Sequence, residues 1–251
     1  MKISIITVVL NRVDYIEDCI KSVISQDYKD VEYIVIDGGS SDGTLNTIGK
    51  YESRISRLVS EPDNGMYDAL NKGLRLASGA IIAFLHADDI FAHDQVLSKV
   101  AAIFRDTQTD AGYGDLLYVS RNDPTRVVRY WKSGSYNLRR FYWGWMPPHP
   151  TFFVKRSIYE KYGMFNLSLS SAADYELMLR FLFKRGITCT YIPEILVKMR
   201  TGGQSNVSLR NRIRAHRMDH RAWQVNGLRP YPWTILFKPL SKILQYIRKP
   251  R

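Results

Sequence analysis

The first ninety residues switch between two hydrophobic rhythms. The run "KISIITVV" (2–9) is dominated by β-branched residues and reads as a buried strand. Val13, Ile16, Ile20, Val23 and Ile24 then recur at helical spacing, which predicts an amphipathic helix over 12–26. "VEYIVID" reads as a second strand, followed by the Gly/Ser/Asp loop "GGSSDGT" and a short helix. "RISRLVS" is a third, weaker strand. "EPDNG" is a turn in which Asp63 or Asn64 is placed to cap a helix. Tyr67, Leu70, Leu74 and Ala77 carry that helix to about Ser78, before Gly79, and "AIIAFL" is a fourth strand. This alternation predicts an α/β fold, a mostly parallel, Rossmann-like sheet with helices on both faces. Ligands of such sheets gather at the carboxyl ends of the strands. Polar residues concentrate there: Thr7 and Asn11 after the first strand, Asp37 to Asp42 after the second, His86 to Asp89 after the fourth.

Beyond Asp94 the rhythm is less regular. "AGYGDLLYVS" and "RVVRYW" suit a hairpin, "HPTFFV" a strand, "SAADYELMLRFLFKRG" a helix ended by Gly186, and "ITCTYI" a last strand. Residues 206–224 read as a basic helix. A second helical stretch sets Ile235, Leu236, Leu240, Ile243, Leu244 and Ile247 against Lys238, Lys242, Arg248 and Lys249. The expected organisation is one domain over 1–205 and a basic helical C-terminal extension over 206–251.

With 251 residues, 45% of them apolar, the chain can bury a large core, and 5 Trp, 16 Tyr and 10 Phe argue against disorder. Cys19 and Cys189 form neither a disulfide framework nor a zinc pattern. The apolar run Ile3–Leu10 is too short to span a bilayer and leads into Asn11, Arg12 and Asp14, not a cleavage site, so a cytoplasmic protein is expected. The net charge of +12 changes the picture most, because all of it lies in the last quarter. Ile195–Arg251 carry 13 bases and one acid, Asp219, whereas residues 1–194 hold 23 of each. A neutral body with a basic tail points to an anionic partner: a membrane surface, a nucleic acid or a phosphorylated substrate.

The candidate chemistry follows the strand ends. In "AIIAFLHADDIFAHD" a buried strand runs straight into His86, Asp88 and Asp89, and two adjacent carboxylates need a partner or water. Asp88 suits a hard divalent cation that keeps waters and also holds substrate phosphates. Asp88 or Asp89 can equally cap a helix starting near Ile90. Asp37 can accept from a base imide or a ribose hydroxyl, with glycines beside it permitting close approach. The alternative is an ordinary loop capped by Asp42, and neither GxGxxG nor GxxxxGK[ST] is present. Asp174, at a helix start, suits a general base or a cap. Trp143 and Trp145 can stack on sugar faces or pack the core, and His149 is held rigidly between prolines, where a lone histidine is usually structural.

Together these stretches resemble the family 2 glycosyltransferases of the GT-A fold. The residues that carry the resemblance are "SIITVVLNR" (4–12), "YIVIDGGSSDGT" (33–44), "DNGMYDALNKGLRLASGAIIAFLHADD" (63–89), "HPTFFVKRSIYEKYGMFN" (149–166) and "ADYELMLR" (173–180). The wording from 63 to 89 is similar to that of bacterial colanic-acid, capsule and O-antigen enzymes. The resemblance implies transfer of one sugar, with inversion and a divalent metal (Mn²⁺ or Mg²⁺), from a nucleotide-sugar donor, usually a UDP-sugar, to a lipid-linked or oligosaccharide acceptor. It implies a donor site of Thr7, Val9, Asn11, Asp37, Gly38, Asp42, Asn64, Lys72, His86, Ala87 and Asp88. Asp88 would be the metal ligand and Asp174 the general base. Trp145, His149 and Arg200 would lie on the acceptor side or in a flexible loop, "MRTGGQS". Two positions depart from the family pattern: His86 stands for the first Asp of the metal motif, and Ala173 for the Glu before the base. The Gln-x-x-Arg-Trp signature of processive members is missing. Many relatives act on lipid-diphosphate carriers, so the basic tail suits attachment to the inner face of the cytoplasmic membrane. A sugar-nucleotide-forming nucleotidyltransferase is disfavoured by "VVLNRVDY", which lacks a Gly-rich basic loop after the first strand. A nucleic-acid-binding protein is disfavoured by the balanced charge of residues 1–194.

Overall fold

The computed structural model describes residues 1–105, 108–202, 209–234, 237 and 245. Three parallel βα units open the chain: β1 (Ile3–Val9), α1 (Val13–Ile24), β2 (Val31–Asp37), α2 (Thr44–Gly49), β3 (Arg57–Ser60), α3 (Met66–Leu76) and β4 (Ile81–Phe84). β1 pairs in parallel with both β2 and β4, and β2 with β3. Every residue of β1 and β4 is buried, because helices cover both faces. Ile3 and Ile5 of β1 pack with α1, while Ile6 and Val8 pack with α3. That two-sided burial is why these strands read as unbroken apolar runs.

β5 (Asp89–Phe91), α4 (Val96–Arg105), β6 (Ala111–Val119), β7 (Val127–Trp131), β8 (Phe153–Lys155), α5 (Arg156–Tyr162), α6 (Ala173–Met178), β9 (Cys189–Arg200) and α7 (Leu209–Val225) follow. The expected hairpin is β6–β7. The sheet runs β3-β2-β1-β4-β8-β6-β9-β5, with β7 on β6. Antiparallel pairing enters at β8, which separates the parallel N-terminal strands from a second parallel pair, β6 with β9. The helix expected over "SAADYELMLRFLFKRG" widens after Met178 into a π turn, Leu179–Lys184.

Two expected caps are replaced. α3 starts after Gly65 at φ 104°, with no side-chain cap. Asp68 instead reaches back to accept from the Asn64 N–H at 3.1 Å, while Asp63 pairs with Lys72. No helix begins near Ile90. The Asp89 N–H closes a turn onto the His86 carbonyl at 2.9 Å, and Asp89–Phe91 then pairs with Met199–Val197 as β5. α3 ends at Leu76, and Gly79 lies against β1, where a Cβ would stand 2.6 Å from Ser4 Oγ.

α7 is anchored to α6. Trp223 Nε1 donates to the Tyr175 hydroxyl at 3.0 Å, and Asn226 donates to the Glu176 carboxylate at 3.2 Å. Of the second helical stretch, residues 232–251, only Pro232, Trp233, Thr234, Phe237 and Gln245 lie within the described residues. Gly203, Gln204 and Ser205 of "MRTGGQS", and the boundary at 205/206, lie outside them.

Candidate active site

The parallel register sets Val9 beside Asp37, and the Gly38 N–H donates to the Val9 carbonyl at 2.9 Å. One oxygen of Asp37, Oδ2, accepts from the Gly39 and Ser40 N–H groups and from the Ser60 hydroxyl, at 2.7–3.1 Å. The other, Oδ1, is buried with no partner. A buried carboxylate oxygen without a donor calls for an explanation, and a ligand N–H supplies one. Around Asp37 the two loops are laced together. Asn11, in the left-handed region at φ 52°, accepts from the Ser41 N–H through Oδ1. Asp42 accepts from the Thr44 N–H, the Thr44 hydroxyl and the Val13 N–H. Thr7 is fully buried, and its hydroxyl accepts from Tyr33 at 3.2 Å, so it lies in the core below the crevice. Gly38 leaves room for Asp63, whose Oδ2 a Cβ would approach to 2.9 Å. Lys72 is held by Asp63 at 2.6 Å and Glu61 at 2.9 Å, and these carboxylates raise its pKa above the usual lysine range. Asn64 is exposed at the turn before α3.

At the end of β4, Ala87 is buried while His86 and Asp88 are partly exposed. Arg200, the last residue of β9, fixes this loop. Its guanidinium donates to the Asp88 carbonyl at 3.2 Å, pairs with Asp18 at 2.5 Å and lies 5.2 Å over the Tyr15 ring. Arg200 thus supports the loop from behind. Among the described residues the Asp88 carboxylate has no hydrogen bond or ion pair. Asp89 is buried with both oxygens unpartnered, and burial together with Asp88 holds its carboxyl well above the usual carboxylate range.

The third part faces these loops from α6. His149, in the 3₁₀ turn His149–Thr151, places Nδ1 3.4 Å from Asp174 Oδ2. Its ring meets that of His86 edge-on at 5.6 Å between centroids. Asp174 Oδ1 accepts from the Tyr175 N–H at 2.8 Å. His86, His149 and Asp174 line a cavity of about 30 Å³ with Met66, Tyr67 and Phe84. Burial, and then the neighbouring His149, lower the His86 pKa to about 4, and burial lowers that of His149 as well. Both rings are therefore neutral at neutral pH. Burial and the Asp174 charge raise the Tyr67 phenol well above its ordinary value. Tyr67 was legible only as an apolar position of α3; its phenol facing a carboxylate is a product of the fold.

Other expectations resolve differently. Trp145 packs in the core with its Nε1 donating to the Ser133 carbonyl at 3.0 Å, so of its two readings it takes the structural one. Trp143 is exposed and meets Trp233 and Phe237. Ala173, where the family pattern has Glu, is fully buried in the core. The buried acid of α6 is Glu176, committed to Arg180 at 2.9 Å.

The sequence profile of "Glycosyl transferase family 2" matches residues 4–163. A PGL/p-HBAD biosynthesis glycosyltransferase of Mycobacterium bovis is 30% identical over 208 residues, covering 81% of this chain and 78% of its own. Glycosyltransferase AglE of Haloferax volcanii is 26% identical, covering 98% of this chain and 88% of its own. The fold is shared with S. aureus TarS 1–349 in complex with UDP, at TM-score 0.69 and 19% identity, over 88% of this chain and 65% of TarS. It is shared too with the mannosyltransferase PcManGT of Pyrobaculum calidifontis in complex with GDP-Man and Mn²⁺, at TM-score 0.66 and 20% identity, over 96% of this chain and 69% of that one. The chain belongs to glycosyltransferase family 2. It is a glycosyltransferase with a GT-A fold.

Proposed function

We propose that the protein transfers one sugar, with inversion, from a nucleotide-sugar donor to a hydroxyl of a lipid-linked or growing saccharide acceptor. The observation that carries this reading is the placement of an uncommitted acceptor oxygen on Asp37 and an uncommitted Asp88 carboxylate at adjoining strand ends, with Asp174 on α6 lining the neighbouring cavity. Asp37 Oδ1 suits the imide N–H of a uracil, which favours a UDP-sugar. The nucleotide complexes of TarS and PcManGT support a nucleoside-diphosphate donor of this kind.

A divalent cation fits the Asp88 loop. Among the described residues no three metal-ligating side chains converge, but such ions take one or two carboxylates and complete their shell with water and phosphate. Asp88 would hold the ion, which when bound offsets charge on the leaving diphosphate. Asp174 accepts the proton of the attacking hydroxyl. Its Oδ2 lies against His149, whose neutral ring orients the carboxylate.

No helix among the described residues is long and apolar enough to cross a membrane. The charge of the C-terminal quarter supports peripheral attachment to an anionic surface, on the cytoplasmic face where nucleotide sugars are available. The test is donor binding by the purified full chain against UDP-, GDP- and dTDP-sugars with Mn²⁺, Mg²⁺ or chelator, alongside Asp88→Ala. Metal-dependent binding of one donor, lost in Asp88→Ala, is expected. Failure of every sugar nucleotide to bind would overturn the reading.

A further inference from the structure

Two stretches of the chain lack acids altogether. Residues 124–159 carry seven Lys or Arg and no Asp or Glu, and residues 220–251 again seven and none. They are distant in sequence, but the fold joins them through an aromatic seam. Tyr142 stacks on Trp223 at 5.3 Å and meets Tyr231 at 4.6 Å, and Tyr231 stacks on Trp233 at 4.8 Å. Trp143 meets Trp233 at 6.4 Å and Phe237 at 5.4 Å. One end of the seam is core, since Trp223 is fully buried. The other is open: Trp143 is 55% exposed, Tyr231 49%, Trp233 40% and Phe237 37%.

Large aromatics left half in water need a reason, and clustered apolar exposure marks contact surfaces. Tyr and Trp in particular suit a boundary that is apolar on one side and wet on the other. The charges here say which boundary. Arg139, four residues before Trp143, and Arg229, four before Trp233, are exposed and have no ion pair among the described residues. Two exposed cations without an ion pair among the described residues, each four residues before a tryptophan of the cluster, with no carboxylate in either stretch, complement an anionic headgroup layer over an apolar one.

We infer that this seam is a membrane-docking face, with Trp143, Trp233 and Phe237 entering the interface of an anionic bilayer and Arg139 and Arg229 at the headgroups. The inference rests on the transferase reading for its consequence and goes beyond a generally basic tail. The seam runs inward from Trp223 to the Tyr175 hydroxyl, and Tyr175 follows Asp174. The helix bearing the proposed base therefore stands on the docked face, where the hydroxyl of a lipid-borne acceptor would arrive.

The experiment uses the full chain with vesicles of phosphatidylcholine alone or with phosphatidylglycerol. Expected are binding that requires phosphatidylglycerol and weakens with salt, a blue shift of tryptophan emission, and quenching by brominated acyl chains. Trp143→Phe with Trp233→Phe should keep binding and lose most of the quenching, because Trp145 and Trp223 are buried and Trp131 packs against the core, stacked on Tyr118. Trp143→Ser with Trp233→Ser should weaken vesicle binding at least about tenfold at unchanged circular dichroism. Binding without acyl-chain quenching, or untouched by the serine pair, would mean that charge alone acts and would overturn the face. So would absence of binding, or a dimer in solution that the serine pair dissolves. Donor binding measured without vesicles separates these failures from failure of the transferase reading.

Discussion

Asp174→Asn is the sharpest perturbation of the proposed chemistry. The substitution preserves shape and keeps an acceptor for the Tyr175 N–H, which now reaches Oδ1 at 2.8 Å, so the helix start should stay intact. What it removes is the basic oxygen that faces His149 at 3.4 Å. A positioned general base contributes ~10²–10⁴ in rate, and that is the loss expected in single-turnover transfer, with donor affinity unchanged. His149→Gln probes the same oxygen from outside. A hydrogen bond to a charged group is worth ~1.5–3 kcal/mol, and a contact of 3.4 Å belongs at the lower end, so a loss of about tenfold is expected. If His149 works by orienting Asp174, the two losses will not add. His149→Gln combined with Asp174→Asn should cost less than about twofold beyond Asp174→Asn alone. Transfer in Asp174→Asn within about tenfold of wild type, with donor binding intact, would refute the base assignment. Full additivity would refute the coupling.

Three further outcomes follow from the frame. Glu32 is a buried carboxylate; burial opposes its ionisation, but donors from Ser4, Ser78 and Gly79 outweigh that and lower its pKa. A lowered carboxylate pKa adds stability above the unfolded value, lost as pH falls below about 4.5. Urea unfolding of Glu32→Gln should therefore show lower stability than wild type at pH 7 and a smaller further loss on acidification. Gly79→Ala places a Cβ 2.7 Å from Ser4 N and 3.0 Å from the Lys2 carbonyl, backbone atoms at the central strand, and should cost ~1–3 kcal/mol in the same assay. Arg200→Leu removes the donor to the Asp88 carbonyl, and calorimetry should show donor binding with Mn²⁺ weakened more than binding without it.

The frame was legible where burial is two-sided and local. β1 and β4 are buried throughout and β2 at all but its first residue, so each shows as an apolar run, and the helices between them keep a helical apolar stripe. Misreadings arose where a distant partner overrode a local signal. "DDI" has the look of a helix start, yet Asp89–Phe91 is claimed by β9, more than a hundred residues on. Trp143 and Trp145 are nearly identical in sequence context, but only Trp145 finds the Ser133 carbonyl and the core. His149 looked like a lone structural histidine and Asp174 like a base or cap at a helix start, and only the fold brings them to 3.4 Å.

A more general distinction separates the polar residues at the strand ends. Asp42, Asn11 and Lys72 are engaged by hydrogen bonds or ion pairs within the protein, and so is Arg200 through Nη1 and Nη2. Removing one would loosen a loop, and any ligand seeking their side chains would first have to break a bond already made. Asp37 Oδ1 is buried and unpartnered, and the Asp88 carboxylate carries no bond among the described residues. Desolvating the buried Asp37 oxygen without a partner costs the fold free energy, which a donor from outside would recover on binding, while the partly exposed Asp88 carboxylate would exchange water for its ligand. Preorganised binding at these two carboxylates therefore explains why the loops around them are so thoroughly tied down. It predicts that donor affinity will respond steeply to Asp37→Ala and Asp88→Ala. It will respond to substitution of Asn11 or Asp42 only in proportion to how far their loops shift.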